Sequence, residues 1–271
     1  MRRLVVLSVM ALSIGMAPVA AACGTVPGAQ RPTATQPAIP SRSSPAPSSA
    51  VPSASGSVAP SASTAPPATG QVLAPGMTGQ GVLRLQLRLA ALKYYPGQAD
   101  GQFGADTLEA VWAFEEVQGL PPSDQVGRAM QAALAHPRSP AVLVPAGGAT
   151  RVEISLQREV LVLYRAGQVA LISHVSTGGG YYYCSPGGGC GYAITPVGDF
   201  QTLSYVPGWV VVPLGEMYNP VFFVGTAYAI HGDTDVPLDP VSHGCVRIPM
   251  DVAAFFHTLV KIPGTPVYIR G

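Results

Sequence analysis

The sequence predicts an α+β protein of several domains, in which a small three-helix bundle precedes a mainly β domain of sandwich or barrel-like form. Apolar residues recur at helical spacing within residues 72–137. From residue 150 to residue 271 the pattern changes to short β-rich runs separated by glycine turns. The chain has 271 residues, and the part after residue 71 is long enough for two modest domains, each with its own core.

The first 22 residues predict a secretory signal peptide. Arg2 and Arg3 precede an apolar run that ends near Val19, and small residues follow it. A membrane-spanning anchor is the alternative, but it needs about 20 apolar residues and this run is slightly short. The small residues before Cys23 resemble a bacterial lipobox, in which that cysteine is lipidated. We therefore expect an exported protein of the cell envelope, anchored through Cys23 to the outer face of the cytoplasmic membrane.

Residues 23–71 predict a disordered tether that is rich in Pro, Ser and Ala. Because this segment has almost no large apolar side chains, burial cannot offset the entropy of ordering it. The many prolines favour a fairly extended spacer. A spacer behind a lipidated cysteine would let the folded domains reach away from the membrane.

The helical part, residues 72–137, contains three helix patterns. The first covers residues 82–92, the second begins at residue 105 or 106 and ends before Gly119, and the third runs from residue 125 to 136 and is stopped by Pro137. Glycine turns separate them, as in Pro96-Gly97 and Asp100-Gly101. These patterns predict a small bundle of three short helices.

The β part, residues 150–271, begins with an alternating run at residues 152–156, and two apolar runs follow at residues 160–164 and 169–176. A short turn that contains Gly167 joins them, which predicts a hairpin. Further strands are expected near residues 205, 210–212 and 266–269, and one short helix over residues 251–260. The alternating runs predict a sheet-based core.

The charge balance excludes some classes of function. Lys and Arg number 15, Asp and Glu number 14, and 11% of the residues are charged. This composition gives no electrostatic footprint for nucleic acid, and no glycine-rich phosphate loop is present. We therefore predict no nucleic-acid partner and no cofactor, and we expect a monomer.

The residues most indicative of chemistry are Ser242-His243-Gly244-Cys245-Val246-Arg247, preceded by His231-Gly232, in a chain with 4 Cys and 5 His. A free thiol has a pKa of about 8.5 and only the thiolate is strongly nucleophilic, so a nearby imidazole that accepts its proton makes the sulfur reactive. A glycine turn can also aim backbone N–H groups at one point, as in an oxyanion hole. The alternatives are a buried core cysteine and a metal site that uses His231, His243 and Cys245.

This motif resembles the signature of L,D-transpeptidases, the YkuD-type catalytic domain. The resemblance implies that Cys245 is the nucleophile and that His231 is the proton donor and acceptor. It also implies that the Gly232 carbonyl orients the imidazole and that the Gly244 backbone contributes to the oxyanion hole. His243, although nearer to Cys245 in sequence, is then expected to be structural rather than the base.

The same resemblance implies a set of substrate-binding residues, namely Met217, Tyr228, Ser242, His243 and Arg247. For Arg247 two roles stay open, since its guanidinium can pair with a substrate carboxylate or lock the loop. The elements Thr177-Gly178-Gly179-Gly180 and Thr195-Pro196-Val197-Gly198-Asp199-Phe200 also resemble this family.

The helical part resembles the peptidoglycan-binding type 1 domain. The matching residues are Gly79, Val82, Leu85, Gln86, Leu89, Asp100-Gly101, Phe103-Gly104, Thr107, Ala110-Val111, Phe114 and Gly119-Leu120. Glu115 departs from the family pattern, which often has Gln there. Most of these positions are core or turn residues, so they argue for the fold more than for a ligand.

An insert with three tyrosines contains Cys184 and Cys190 and is less typical of the transpeptidase family. In an exported protein, two cysteines this close across a Pro-Gly loop are expected to form a disulfide. Cys245 would then be left free as the nucleophile.

Taken with the resemblance, these features predict an L,D-transpeptidase that cross-links peptidoglycan through a cysteine acyl-enzyme. Tetrapeptide stems would be the donors and D-alanine would be released. The expected partners are the stem peptides and the glycan, with the membrane contacted through the lipid. Two alternatives remain: an L,D-carboxypeptidase or hydrolase that uses the same site, and a catalytically silent wall-binding lipoprotein.

Overall fold

The computed structural model describes residues 70–186 and 188–271. The predicted signal peptide, Cys23 and nearly all of the predicted tether lie outside the described residues. The helices are α1 (Gln80–Ala91), α2 (Ala105–Gln118), α3 (Arg128–Ala135) and α4 (Met250–Leu259). The strands are β1 (Arg151–Ser155), β2 (Val160–Arg165), β3 (Gln168–His174), β4 (Tyr182–Cys184), β5 (Cys190–Tyr192), β6 (Gly198–Gln201), β7 (Ser204–Tyr205), β8 (Trp209–Val212), β9 (Gly215–Val224), β10 (Tyr228–Gly232), β11 (Val246–Ile248) and β12 (Pro266–Arg270). Within this part of the chain, no helix combines the length and the apolar character that crossing a membrane requires.

The predicted α+β fold, with helices first and strands after, is confirmed. Helix α2 has the predicted bounds, and Gly119 ends it in the left-handed conformation at φ 70°. Helix α3 begins three positions later than predicted, at Arg128. The reason is that Val126 donates its N–H to Leu73 O at 2.8 Å in an isolated β-bridge, which holds this backbone out of the helix.

A buried glutamine organises the helical part. The Gln86 amide donates to Asp100 Oδ1, Gln102 O and Thr107 Oγ1 at 3.0–3.1 Å, and its oxygen accepts the Gly101 N–H at 2.8 Å. Gln86 is 1% exposed, so these bonds are shielded from water. The turn before α2 is therefore fixed to α1 by one side chain.

Two sheets form the β part. One has the strand order β3-β2-β1-β12-β6, and the other has the order β11-β10-β9-β7, with β8 also paired to β9. Apolar side chains from both sheets and from α4 form a common core, which includes Ile154, Leu161, Ile230, Val246 and Phe256. The result is a β-sandwich with one covering helix, as the alternating runs predict.

Strand β2 is buried on both faces. Leu161 and Leu163 belong to the core between the sheets, whereas Val162 and Tyr164 belong to a second cluster with the helical part. That second cluster also contains Phe114 of α2. The helical part therefore shares its core with the outer face of the hairpin β2–β3, while the two sheets and α4 enclose a second core of their own.

Strands β4 and β5 form a separate two-stranded ribbon, which we call the tyrosine hairpin. A disulfide joins Cys184 to Cys190, and these two residues face each other in the strand register. Tyr182 and Tyr192 are 61% and 62% exposed, with ring centroids 5.3 Å apart. The hairpin thus stands out from the sandwich and is cross-linked to itself.

Candidate active site

Two neighbouring parallel strands bring the predicted base and nucleophile together. In the register of β10 and β11, Ile230 faces Val246 and His231 faces Arg247. Cys245 immediately precedes β11, so it lies at the end of the strand next to the one that carries His231. Residues 14 positions apart in sequence (245 minus 231) therefore reach the same cleft. The strand register therefore brings together the two residues, His231 and Cys245, that the sequence motif indicated.

The imidazole of His231 is fixed in one tautomer. His231 is 4% exposed, and its Nδ1 lies 2.9 Å from Gly232 O. A carbonyl oxygen only accepts, so Nδ1 carries the proton and Nε2 of the neutral ring is an acceptor. Burial lowers the pKa of His231, which favours this neutral form, although the Gly232 carbonyl and Asp233 oppose the shift. The arrangement suits a general base.

Cys245 is a partly buried free thiol. Its Sγ lies 3.9 Å from Ala227 O, and no hydrogen bond joins it to His231 among the described residues. Burial raises the pKa of Cys245, while the Ala229 backbone and the nearby Arg247 lower it by smaller amounts. These shifts favour the protonated thiol over the thiolate.

Ser242 braces the turn of residues 242–245, which we call the nucleophile turn because it carries the predicted nucleophile. It is 2% exposed, its hydroxyl donates to Cys245 O at 2.6 Å, and it accepts the Gly244 N–H at 2.9 Å. Ser242, predicted to bind substrate, also lines the cleft, and the Gly244 N–H, predicted to contribute to the oxyanion hole, donates to the Ser242 hydroxyl in this arrangement.

Gly244 is required for steric reasons. Its φ is 131°, and a Cβ at this position would lie 2.6 Å from Tyr228 Cε1 and 2.7 Å from Ile194 O. The Tyr228 ring and the Ile194 backbone therefore pack directly against the turn. Tyr228, predicted to bind substrate, both lines the cleft and limits the shape of this turn.

Thr195, which the sequence named only as part of an element that resembles the family, also bonds to the nucleophile turn. Its hydroxyl donates to Gly244 O at 2.8 Å and accepts the Gly178 N–H at 2.9 Å, and it is 2% exposed. Thr195 thus ties the nucleophile turn to the Thr-Gly turn. The sequence showed only that Thr195 belongs to an element that resembles the family and also serves as a turn. It did not indicate the hydrogen-bond partner, Gly244, which lies 49 positions away.

Arg247 is held by two carboxylates of the loop that follows β10. Its Nε lies 3.1 Å from Asp233 Oδ2 and its Nη1 lies 3.7 Å from Asp235 Oδ2. Nη1 also donates to Asp235 O at 3.2 Å. Of the two roles that the sequence left open, this geometry favours locking the loop, although Arg247 still lines the cleft.

The cleft above Cys245 has a volume of about 390 Å³ and is lined by Tyr183, Met217, Tyr228, His231, Cys245 and Arg247. Met217, predicted to contact substrate, is 6% exposed and packs with Phe222 and Ala229. The tyrosine hairpin contributes one wall through Tyr183.

His243, predicted to bind substrate, lines the cleft and packs against the tyrosine hairpin and the neighbouring Tyr181. Its ring lies edge-to-face with Tyr183 at 4.7 Å and with Tyr181 at 5.5 Å between centroids. Partial burial and Arg247 lower the pKa of His243. It therefore connects the nucleophile turn to the insert, consistent with a structural role.

The metal-site alternative for the motif is not supported by the geometry. Over residues 70–186 and 188–271, the group close enough to share a metal ion consists of Asp106, Glu109 and Asp251. That group contains none of His231, His243 and Cys245.

Comparisons with known proteins identify the family of this chain. A family model described as "L,D-transpeptidase catalytic domain" matches residues 149–269, and one described as "Putative peptidoglycan binding domain" matches residues 78–134. An L,D-transpeptidase from Xylanimonas cellulosilytica, whose crystal structure covers its residues 123–326, is 35% identical over 75% of this chain and 100% of that one, with a TM-score of 0.69. The chain belongs to the L,D-transpeptidase family.

Two further solved structures are more distant. An L,D-transpeptidase from Stackebrandtia nassauensis is 18% identical over 76% of this chain and 97% of that chain, with a TM-score of 0.41. One from Mycobacterium smegmatis is 20% identical over 45% of this chain and 59% of that chain, with a TM-score of 0.37. No curated protein sequence matches this L,D-transpeptidase.

Proposed function

We propose that this L,D-transpeptidase cross-links peptidoglycan through a thioester on Cys245. The observation that carries the proposal is the fixed tautomer of His231, whose Nδ1–H is donated to Gly232 O at 2.9 Å and whose Nε2 is therefore an acceptor beside the same cleft as the thiol. A buried neutral imidazole with its acceptor nitrogen available is what a thiol nucleophile needs.

In the first half-reaction, His231 Nε2 takes the thiol proton as Sγ bonds to the carbonyl carbon of a stem peptide. The amide bond to the terminal D-alanine then breaks, and the imidazolium returns its proton to the leaving amine. Because the Gly244 N–H donates to Ser242, the proposal assigns oxyanion stabilisation to the Cys245 N–H. The product is D-alanine and a Cys245 thioester.

In the second half-reaction, an amine of a neighbouring stem attacks the thioester carbon. His231 accepts a proton from that amine, an amide forms, and the sulfur leaves and is reprotonated. Water as the acceptor would give hydrolysis through the same acyl-enzyme, so the two outcomes differ only in the second half-reaction.

The test has two parts. Intact-mass spectrometry with a carbapenem should give a covalent adduct on the wild type and none on Cys245→Ala, and a missing wild-type adduct or an unchanged one on the variant would overturn the proposal. Incubation with tetrapeptide muropeptides should then give dimers together with released D-alanine. Tripeptides alone would indicate a carboxypeptidase, and unchanged muropeptides would indicate a silent wall-binding protein.

The proposed setting is the cell wall. Both matched families are named for peptidoglycan binding or L,D-transpeptidation, which supports peptidoglycan as the partner and an extracytoplasmic location. We add lipid attachment at Cys23 and a monomeric state. Radiolabelled palmitate should label the wild type but not Cys23→Ala, and sedimentation should give the mass of one chain.

A further inference from the structure

A buried chain of polar contacts connects helix α2 to the loop between the proposed base and nucleophile. Glu116 Oε1 lies 2.8 Å from His174 Nδ1, and His174 Nε2 lies 3.1 Å from Pro237 O. His174, the last residue of β3, is 0% exposed, and Trp112 of α2 covers it edge-to-face at 5.5 Å. One imidazole thus contacts the helical part on one side and the active-site loop on the other.

The directions of these bonds follow from the acceptor. The Pro237 carbonyl only accepts, so His174 Nε2 carries a proton. The Glu116–His174 contact then holds a second proton, either on Nδ1 or on the carboxyl. Burial raises the pKa of Glu116 to about 7, and its bond to His174 opposes that shift. The same partner raises the pKa of His174 against its own burial. Removing either side chain would leave the other buried without its partner, which is costly.

The loop that Pro237 belongs to, residues 233–241, is also held by Ser176, two residues after the end of β3. Ser176 Oγ donates to Asp239 O at 2.9 Å and accepts the Val241 N–H at 3.2 Å. The Ser176 backbone exchanges two hydrogen bonds with Arg247 at 3.0–3.1 Å. The stretch from His174 to Ser176 therefore fixes both the middle of this loop and the strand that follows Cys245.

We infer that Glu116 and His174 are positioning residues for acylation of Cys245, so that helix α2 is part of the active-site framework and not only of a wall-binding module. This inference rests on the proposed function. Neither residue touches the cleft; both act through the loop that carries Asp233 and Asp235, the partners of Arg247. Loosening that loop would displace the reacting groups, and misplacement by about 1 Å can cost about a hundredfold in rate.

The test compares two neighbouring glutamates of α2. Glu116→Leu removes the partner of His174. Glu115→Leu is the matched control, because Glu115 is 3% exposed but bonds only within the helical part, where Oε2 accepts the Ser123 N–H at 2.7 Å. We expect Glu116→Leu to lower the maximal carbapenem acylation rate about tenfold to a hundredfold, and Glu115→Leu to leave that rate close to the wild type even if both lower the melting temperature.

A conservative variant separates positioning from folding. In Glu116→Gln the amide can donate to Nδ1 while Nε2–H still donates to Pro237, so the acylation rate should be largely restored. If Glu116→Leu does not fold, the pair His174→Gln and His174→Leu replaces it, since only the glutamine can still donate to Pro237 O. Hydrogen exchange in residues 233–241 should rise in the leucine variants at either position.

Two results would overturn the inference: a wild-type acylation rate in folded Glu116→Leu or His174→Leu, or an equal loss in Glu115→Leu. A wild-type protein that forms no adduct at all would instead refute the proposed function and would be recognised in the first measurement. The apparent affinity for the carbapenem should change little, since the rate and not binding is affected.

Discussion

Replacing Thr195 with valine should uncouple the nucleophile turn from the Thr-Gly turn without changing the size of the side chain. The hydroxyl makes two buried bonds, to Gly244 O and from the Gly178 N–H. Valine makes neither, and each unsatisfied buried group costs about 1–3 kcal/mol, so the loss of unfolding free energy is about 2–6 kcal/mol. The space around Gly178 is too tight for a water molecule to take the place of the hydroxyl, since even a Cβ on Gly178 would lie 2.5 Å from Ala193 O.

The consequence for activity follows from the position of these bonds. Gly244 directly precedes Cys245, so a turn released from Thr195 would let the sulfur drift relative to His231. We expect the carbapenem acylation rate to fall about tenfold to a hundredfold. Denaturant unfolding and stopped-flow acylation measure the two effects separately, and Thr195→Ser, which keeps the hydroxyl, should restore most of both.

Thr202 provides the matched control. It is 0% exposed, its hydroxyl donates to Lys261 O at 2.7 Å, and it accepts the N–H groups of Gly264 and Thr265. Thr202→Val should therefore lower stability to a similar degree while the acylation rate of the folded protein stays unchanged. The reasoning is refuted if Thr195→Val acylates normally, or if Thr202→Val slows acylation as much.

Three further predictions concern the hairpin and the titrating groups. Cys184→Ser should raise the KM for stem peptides, because an isolated two-stranded hairpin is marginally stable and this one forms a wall of the cleft; an unchanged KM in steady-state assays would contradict this role. Burial raises the pKa of Cys245 and lowers that of His231. The rate at which iodoacetamide alkylates Cys245 should therefore keep rising from about pH 6 to about pH 9. A plateau below neutral pH would instead show that a thiolate is already formed. Burial and neighbouring carboxylates raise the pKa of Glu109 to about 8 and of Asp251 to about 7. Because the folded state binds these protons more tightly than the unfolded state, the free energy of unfolding should fall as pH rises from about 4 to about 8. Thermal melts should show that Asp251→Asn flattens this fall.

Local patterns were sufficient to locate the helices and several of the strands. The bounds of α2 follow from its apolar spacing and from Gly119, and the hairpin β2–β3 follows from two apolar runs around Gly167. His231 and Cys245 lie in one cleft, as the motif implies. These features depend on residues that are close in sequence, where spacing carries the information.

The remaining features depend on contacts between distant segments. Ser242 could not be assigned to the turn from sequence, since a hydroxyl beside a nucleophile fits a substrate ligand equally well. The apolar run of β2 predicted a strand, but nothing local showed that Phe114 and its neighbours would cover one of its two faces. The contact between Glu116 and His174 joins residues 58 positions apart.

The core shared by α2 and the hairpin β2–β3 also bears on how such proteins can be recombined. The two family models divide the chain at residues 134 and 149, which suggests interchangeable modules. Yet Val160, Val162, Tyr164 and Ile172 would meet solvent if the helical part were deleted or exchanged. A fusion protein that keeps only residues 149–269 would expose this apolar surface and tend to aggregate. Recombining the two domains therefore requires polar substitutions on the outer face of β2–β3 as well.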